Sequence, residues 1–299
     1  MSDNCIDTKY AADSGLIWGA IAVVAFSLGL PATRLAVGEL DGVVVGLGRA
    51  LVAALLPALL LVAGRCPIPP RRLWPRLSVT ALGVVFGFPL LSAWALARVP
   101  AAHGAVIAGL LPAATALMAA FRGGERPSLG FWLAALLGLV AVLVFAVIQG
   151  TGRPQPADGM ILLAVVLGGL GYAEGGALAR SLGGWQVICW VLVASTPVLL
   201  PVVAWRALDT GLHAGPAEWG AFAYVSLVSM FLGFFAWYRA LAIGGIARIG
   251  QLQLAQPVLT MLWSVLLLNE RVTMGMAFAA SAVLASVALT QRMIVVRPS

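Results

Sequence analysis

Continuous apolar runs of roughly twenty residues, broken only by short polar segments, fill the chain from residue 15 to residue 290. That is the length an α-helix needs to cross a bilayer. The runs are unbroken rather than alternating in polarity, which selects helices over a membrane barrel. The spacing predicts ten spans: Gly15–Ala36, Val43–Ala63, Leu77–Leu96, Ala101–Phe121, Ser128–Gln149, Gly159–Ala179, Trp185–Trp205, Ala217–Leu241, Ile246–Leu268 and Val272–Thr290. Between them lie charges with Pro and Gly clusters, as in GRCPIPPRRLWPR after the second span and GTGRPQPADG after the fifth. Only 10% of the residues are charged and 62% are apolar, whereas soluble domains carry about one quarter charged residues. Lipid is therefore the expected solvent, and no stretch is polar enough for a soluble domain.

The net charge of +7 does not point to nucleic acid, because the basic residues form no stripe interleaved with aromatics. Seventeen of the eighteen are Arg, Lys9 being the exception, which fits the codon bias of a GC-rich bacterium. With the N-terminus in the cytoplasm, twelve basic residues fall on the cytoplasmic side: Lys9, Arg65, Arg71, Arg72, Arg76, Arg122, Arg126, Arg180, Arg239, Arg248, Arg292 and Arg297. Five fall opposite (Arg34, Arg98, Arg153, Arg206 and Arg271), and Arg49 lies inside a span. The bias predicts both termini inside. The N-terminal segment lacks the basic region of a signal peptide, so the first run is expected to be a retained helix.

The two halves repeat at an offset of 145 residues. Glu125-Arg126 falls on Glu270-Arg271, Gly130 on Gly275, Pro112 and Thr115 on Pro257 and Thr260, Phe86 on Phe231, and Ala95-Leu96-Ala97 on Ala240-Leu241-Ala242. Shared apolar composition would not align Glu, Arg and Pro. Five spans per half is an odd number, so the halves enter the membrane with opposite polarity, an arrangement found in transporters. The expected fold is all-α and integral to the membrane, with ten helices in two inverted five-helix repeats around a central cavity. Residues 15–149 form the first repeat and 159–291 the second, joined by 150–158 and flanked by cytoplasmic tails at 1–14 and 292–299.

Polar residues inside spans are costly and are candidates for function. Glu174 lies roughly 22 Å along the sixth span. It reads as a coupling carboxylate or substrate-amine partner, or as a structural pair with Arg239 or Arg180. Arg49, about 9 Å into the second span, reads either as a carboxylate fork or, the favoured alternative, as the partner of Glu39 or Asp41. Pro112 and Pro257 each remove a ladder donor. Interrupted helices at matching positions in two halves point to a midplane site. Gln253 and Gln256, beside Pro257, read equally as substrate ligands or as helix-joining amides, and Gln251 lies nearer the interface. Aromatic candidates for the cavity wall are Phe26, Trp94, Tyr172, Trp190, Phe235 and Tyr238. Trp74, Trp185, Trp205 and Trp219, at span ends, read as an interfacial belt. Gly15/Gly19, Gly83/Gly87 and Gly171/Gly175 sit at the small-xxx-small spacing of close helix contacts.

Several chemistries are excluded. There is no phosphate-binding GxxxxGK[ST] and no lysine beyond Lys9, so the chain does not drive transport with ATP by itself. Cys5, Cys66 and Cys189 are scattered, supporting neither a disulfide framework nor a zinc site. His103 and His213 fall at span edges or in loops, and His103 reads as solvated. No nucleophile, base or metal cluster converges, so an intramembrane enzyme is disfavoured.

Trp18-Gly19, Arg49, Trp237-Tyr238-Arg239-Ala240-Leu241, Pro257 and Asn269-Glu270-Arg271, in that order, resemble the drug/metabolite transporter superfamily from Gly15 to Thr290. The resemblance is to its ten-helix members, and within them to the aromatic amino-acid and methyl viologen exporters. It implies a basket of helices around a cavity lined by the first, third, fourth, sixth, eighth and ninth spans, with alternating access and export of small metabolites. Positions that are aromatic in that branch look like Phe26, Leu111 and Gly168 here. Two of the three are not aromatic, which implies a broader amino-acid range. Drugs or nucleotide sugars are the alternative cargo. The candidate cavity is Phe26, Ser27, Trp94, Leu111, Pro112, Tyr172, Glu174, Phe235, Tyr238, Gln253, Gln256 and Pro257. No cofactor or metal is expected. The expected partners are a small-molecule substrate, an amino acid or similar, and the lipid bilayer. The chain is expected as a monomer in a bacterial inner membrane.

Overall fold

A computed structural model describes residues 3–123, 128–149, 155–244 and 249–292. Glu125, Arg126, Arg153, Arg248 and Arg297 lie outside the described residues, as do the side chains of Lys9, Arg122, Gln251 and Arg292. Among the described residues the chain is helical with no strand. Seven helices are long and apolar enough to cross a membrane: α1 (Ser14–Ala36), α2 (Gly42–Ala63), α3 (Arg71–Leu96), α4 (Ala101–Phe121), α6 (Pro156–Leu182), α7 (Gly184–Thr210) and α8 (Pro216–Gly244). Three more are apolar but shorter: α5 (Leu129–Phe145), α9 (Leu252–Leu268) and α10 (Met274–Leu289).

The surface explains why these helices need lipid. Leu133, Leu136, Leu137 and Val144 of α5, Leu55 and Leu59 of α2, and Val198 and Leu200 of α7 are all exposed. Water would not tolerate apolar patches of that extent. Apolar burial cannot hold helices together in such a solvent, so close packing and hydrogen bonds must do it. Small residues supply the close packing. A Cβ on Gly83 would stand 2.7 Å from the Cα of Gly171, which lets α3 and α6 cross backbone against backbone. A Cβ on Gly175 would strike the ring of Tyr238, so α6 and α8 meet there only because the side chain is absent. Hydrogen bonds supply the rest. Ser286 Oγ donates to the Ala134 carbonyl at 2.5 Å, joining α10 to α5. Thr260 Oγ1 donates to the Ser27 carbonyl at 2.7 Å, joining α9 to α1.

Among the described residues six helices are irregular; α1 breaks at Leu28 and α2 at Ala54. α3 widens into a π-helical stretch at Leu82–Gly87, just before Pro89, and α8 does so at Tyr224–Gly233. α4 breaks between Ala108 and Leu111, just before Pro112, and α9 opens with a 3-10 turn at Gln251–Ala255, just before Pro257. A proline lacks the N–H that would continue the ladder, so carbonyls near it are freed or the turn changes pitch. These irregular segments surround the centre of the molecule.

Candidate functional site: a central cavity with a buried arginine

Two adjoining cavities occupy that centre. The larger is walled by Phe26, Leu30 and Thr33 of α1, Arg49 of α2, Phe88 and Pro89 of α3, Tyr172 of α6 and Phe234 of α8, among others. The smaller lies between α1, α4 and α9, against Leu111, Pro112, Gln253, Pro257 and Thr260. Leu30 and Gln256 line both. The interrupted helices α4 and α9 thus present their prolines to one cavity, and the π-helical helices α3 and α8 border the other.

One end of the larger cavity is an aromatic floor. The Phe26 ring lies 5.0 Å from Phe234 and 6.2 Å from Tyr172, centroid to centroid, and Tyr172 lies 5.6 Å from Phe234. Trp237 packs beneath, 5.7 Å from Tyr172, and its indole N–H is buried without a hydrogen-bond partner among the described residues. Edge-to-face rings of this kind make a stiff apolar surface.

Arg49 provides the cavity's charge, and here the residues correct the sequence expectation. Neither Glu39 nor Asp41 reaches it. Glu39 Oε2 accepts from the Gly215 N–H at 2.7 Å. Asp41 caps α2 through the Val43 N–H at 2.8 Å and pairs with Arg206 Nη2 at 3.1 Å. Arg49 is 5% exposed. Its Nη2 donates to the Pro89 carbonyl at 2.7 Å, Nη1 to Thr33 Oγ1 at 3.4 Å and Nε to the Gly46 carbonyl at 3.3 Å. No carboxylate pairs with it among the described residues. An arginine at the centre of a spanning helix costs about 2.5–3.5 kcal/mol to insert into a membrane; Arg49, in the first third of α2, costs at most that, and two weak contacts with one good one offset part of it.

Gln253 is the second anomaly. It is 2% exposed, faces the smaller cavity, and neither its amide oxygen nor its nitrogen has a partner among the described residues. Each buried unsatisfied polar group costs on the order of 1–3 kcal/mol.

Glu174 does not face either cavity. It is fully buried and bonds Arg76 Nε, joining α6 to α3. Neither Arg239 nor Arg180, its expected partners, is the one; the Arg239 guanidinium instead stacks on Trp18, 4.6 Å from the ring centre. Tyr238 is also outside, donating to the Gly171 carbonyl at 3.2 Å. Ser27 is spent on the α1–α9 joint, where it accepts from Trp263 Nε1 at 3.0 Å. Phe235 packs on Trp18 and Phe231. Trp94 lies at the far end of α3 against Gly42, and Trp190 packs on Trp74. Phe26, Leu111, Pro112, Tyr172, Gln253, Gln256 and Pro257 are the sequence candidates that line the cavities. Phe88, Thr33 and Phe234 join them, and nothing in an apolar run marked them.

His103 is a further correction. It is buried, not solvated. Its Nε2 lies 2.6 Å from Asp158 Oδ1, and its ring packs 4.9 Å from Phe145. Asp158 Oδ2 accepts from the Gln155 N–H at 2.8 Å, closing a capping box at the start of α6.

The pattern of the EamA-like transporter family matches the chain twice, over residues 13–147 and again over 155–292. The chain belongs to this family. It is a multi-pass membrane transporter of the drug/metabolite transporter superfamily, not an enzyme. An uncharacterised transporter, YdeK of Bacillus subtilis, is 46% identical over 279 residues, 93% of this chain and 97% of that one. A probable terminal-alkyne amino-acid exporter of Streptantibioticus cattleyicolor is 26% identical over 77% of each chain. The aromatic amino acid exporter YddG of Ancylobacter novellus is 24% identical over 83% of each chain. A solved crystal structure superposes with a TM-score of 0.66 at 20% identity, covering 93% of this chain and 98% of that one, which supports the fold.

The residues that carried the resemblance now have structural work. Glu270 Oε1 and Oε2 accept from the backbone N–H groups of Ala101 and Ala102, capping α4 from the end of α9. Asn269 ends α9 in the left-handed conformation, φ 52°. Trp18 carries Arg239, and Gly19 clears space for Leu252.

Proposed function

We propose that this transporter exports amino acids with aromatic or other apolar side chains, by alternating access through the central cavity. The observation that carries the reading is the aromatic floor of Phe26, Tyr172 and Phe234 in the central cavity. Small-ligand sites are mostly apolar with a few placed polar groups, and this lining has that character. Two exporters of amino acids among the relatives support the same substrate class. The architecture in this reading is ten spans, α5, α9 and α10 included, in two inverted repeats. The twofold family match and the irregular helices at positions 145 apart support it: Leu82–Gly87 shifted by 145 falls within Tyr224–Gly233, and Pro112 falls on Pro257. The arginine distribution supports termini on the cytoplasmic side of a bacterial inner membrane.

Counterflow in proteoliposomes tests the substrate class. Vesicles preloaded with unlabelled phenylalanine should accumulate labelled phenylalanine, leucine or tryptophan faster than protein-free vesicles. Equal rates for every amino acid in the panel, with exchange of a nucleotide sugar or a cationic drug instead, would replace this reading.

A further inference from the structure

We propose that the site selects its substrate by the carboxylate and not by the amine, with Arg49 as the carboxylate-binding residue. The inference deepens the proposed function and rests on the cavity being the transport path.

A guanidinium carries five N–H donors. Among the described residues three have partners, in Gly46, Thr33 and Pro89, which leaves one N–H on each terminal nitrogen. Two such donors are what a carboxylate takes in a bidentate pair. The anchors hold the guanidinium at the cavity wall without neutralising it, because two are carbonyl oxygens and one is a hydroxyl. An incoming anion would supply the missing charge beside a guanidinium that is itself 5% exposed, where such a pair gains strength over one in open water.

The complementary group for an ammonium is missing. Among the described residues no Asp or Glu lines either cavity, and Glu174, a buried carboxylate on the lining helix α6, bonds Arg76 outside them. The polar groups left are amides, Gln256 shared by both cavities and Gln253 with no partner for either amide atom. A primary amide both donates and accepts. It can accept from an amine or donate to a keto oxygen with equal ease. The apolar side chain then faces Phe26, Tyr172 and Phe234. Aromatic and branched 2-oxo acids should therefore occupy the site as well as the matching amino acids do, and the decarboxylated amines should not.

Three probes separate the possibilities: L-phenylalanine, phenylpyruvate and phenethylamine, each titrated into the purified full-length protein while its thermal midpoint is followed. Phenylalanine and phenylpyruvate should raise the midpoint with half-saturation concentrations within about threefold of each other, and phenethylamine should leave it unchanged. Arg49→Lys keeps the charge and loses the fork, so half-saturation by both acids should rise tenfold or more; Arg49→Gln should abolish both shifts. The wild-type comparison stands even where a variant does not fold. A shift with phenylpyruvate alone supports the carboxylate site and removes the amino-acid reading. Shifts with phenylalanine and phenethylamine but not phenylpyruvate overturn the carboxylate site and leave the amino-acid reading in place. Silence from all three overturns the carboxylate site.

Discussion

Glu270 and Ala101 are 169 residues apart and joined by a 2.8 Å hydrogen bond from the Ala101 N–H to Oε1, with Oε2 on the next N–H, that of Ala102. A carboxylate there satisfies two orphan donors of α4 and meets the positive end of its dipole. Glu270→Gln keeps one acceptor and loses the charge, and should cost about 1 kcal/mol; Glu270→Ala should cost about 2 kcal/mol. Chemical denaturation in detergent micelles, comparing the two variants with the parent, measures both. Equal stability in all three would remove the capping account.

Glu174 is bonded to Arg76 and lies off the cavity. Its role here is to join α6 to α3. Arg76→Ala removes one partner of a buried carboxylate and should destabilise by about 1–3 kcal/mol, a range lowered because the Arg76 side chain is 36% exposed. Adding Glu174→Gln should recover part of the loss, which a double-mutant cycle reads as coupling. Counterflow by a folded Glu174→Gln protein should stay within about twofold of the parent; its loss would make Glu174 part of the transport machinery.

Gly83 lies against the backbone of Gly171, so a methyl group has no space to enter. Gly83→Ala should push α3 from α6 and lower stability by about 1–3 kcal/mol. Gly159, whose Cβ would meet nothing within 4 Å, is the control: Gly159→Ala should be neutral or slightly stabilising, since the helix gains propensity. Thermal midpoints of the two proteins check the contrast.

His103 bonds one oxygen of Asp158 while the Gln155 N–H bonds the other. His103→Ala would leave Asp158 Oδ1 buried and unpartnered, at about 1–3 kcal/mol. His103→Gln, which can still donate, should recover part of that. Hydrogen exchange at the start of α6 should speed in the Ala variant and much less in the Gln variant.

The helices are legible because each apolar run is long, and the interruptions of α4 and α9 because Pro112 and Pro257 carry a fixed physical meaning in a helix; the π-helical stretches of α3 and α8 contain no such mark. Pairing was not legible. Arg49 has Glu39 and Asp41 close in sequence, yet those carboxylates serve Gly215 and Arg206, from segments more than 160 residues on. His103 follows Pro100 at a span edge and reads as loop, but Phe145 and Asp158 arrive from α5 and α6 to bury it. Phe88 and Phe234 are apolar residues in apolar helices, so nothing in their local pattern distinguishes a wall of the cavity from a face toward lipid. Only the close approach of neighbouring helices does so.

The central claim is that the central cavity is the route taken by an amino acid. Leu30 lines both parts of it, so a cysteine there reports on the route directly. In a protein with Cys5, Cys66 and Cys189 replaced by Ala and Leu30→Cys introduced, a small water-soluble thiol reagent should label the new cysteine in proteoliposomes. Phenylalanine should slow that labelling in a saturable way, at concentrations that also saturate counterflow. Labelling whose rate phenylalanine leaves unchanged, in a preparation that still carries phenylalanine, would place the route elsewhere and contradict the account.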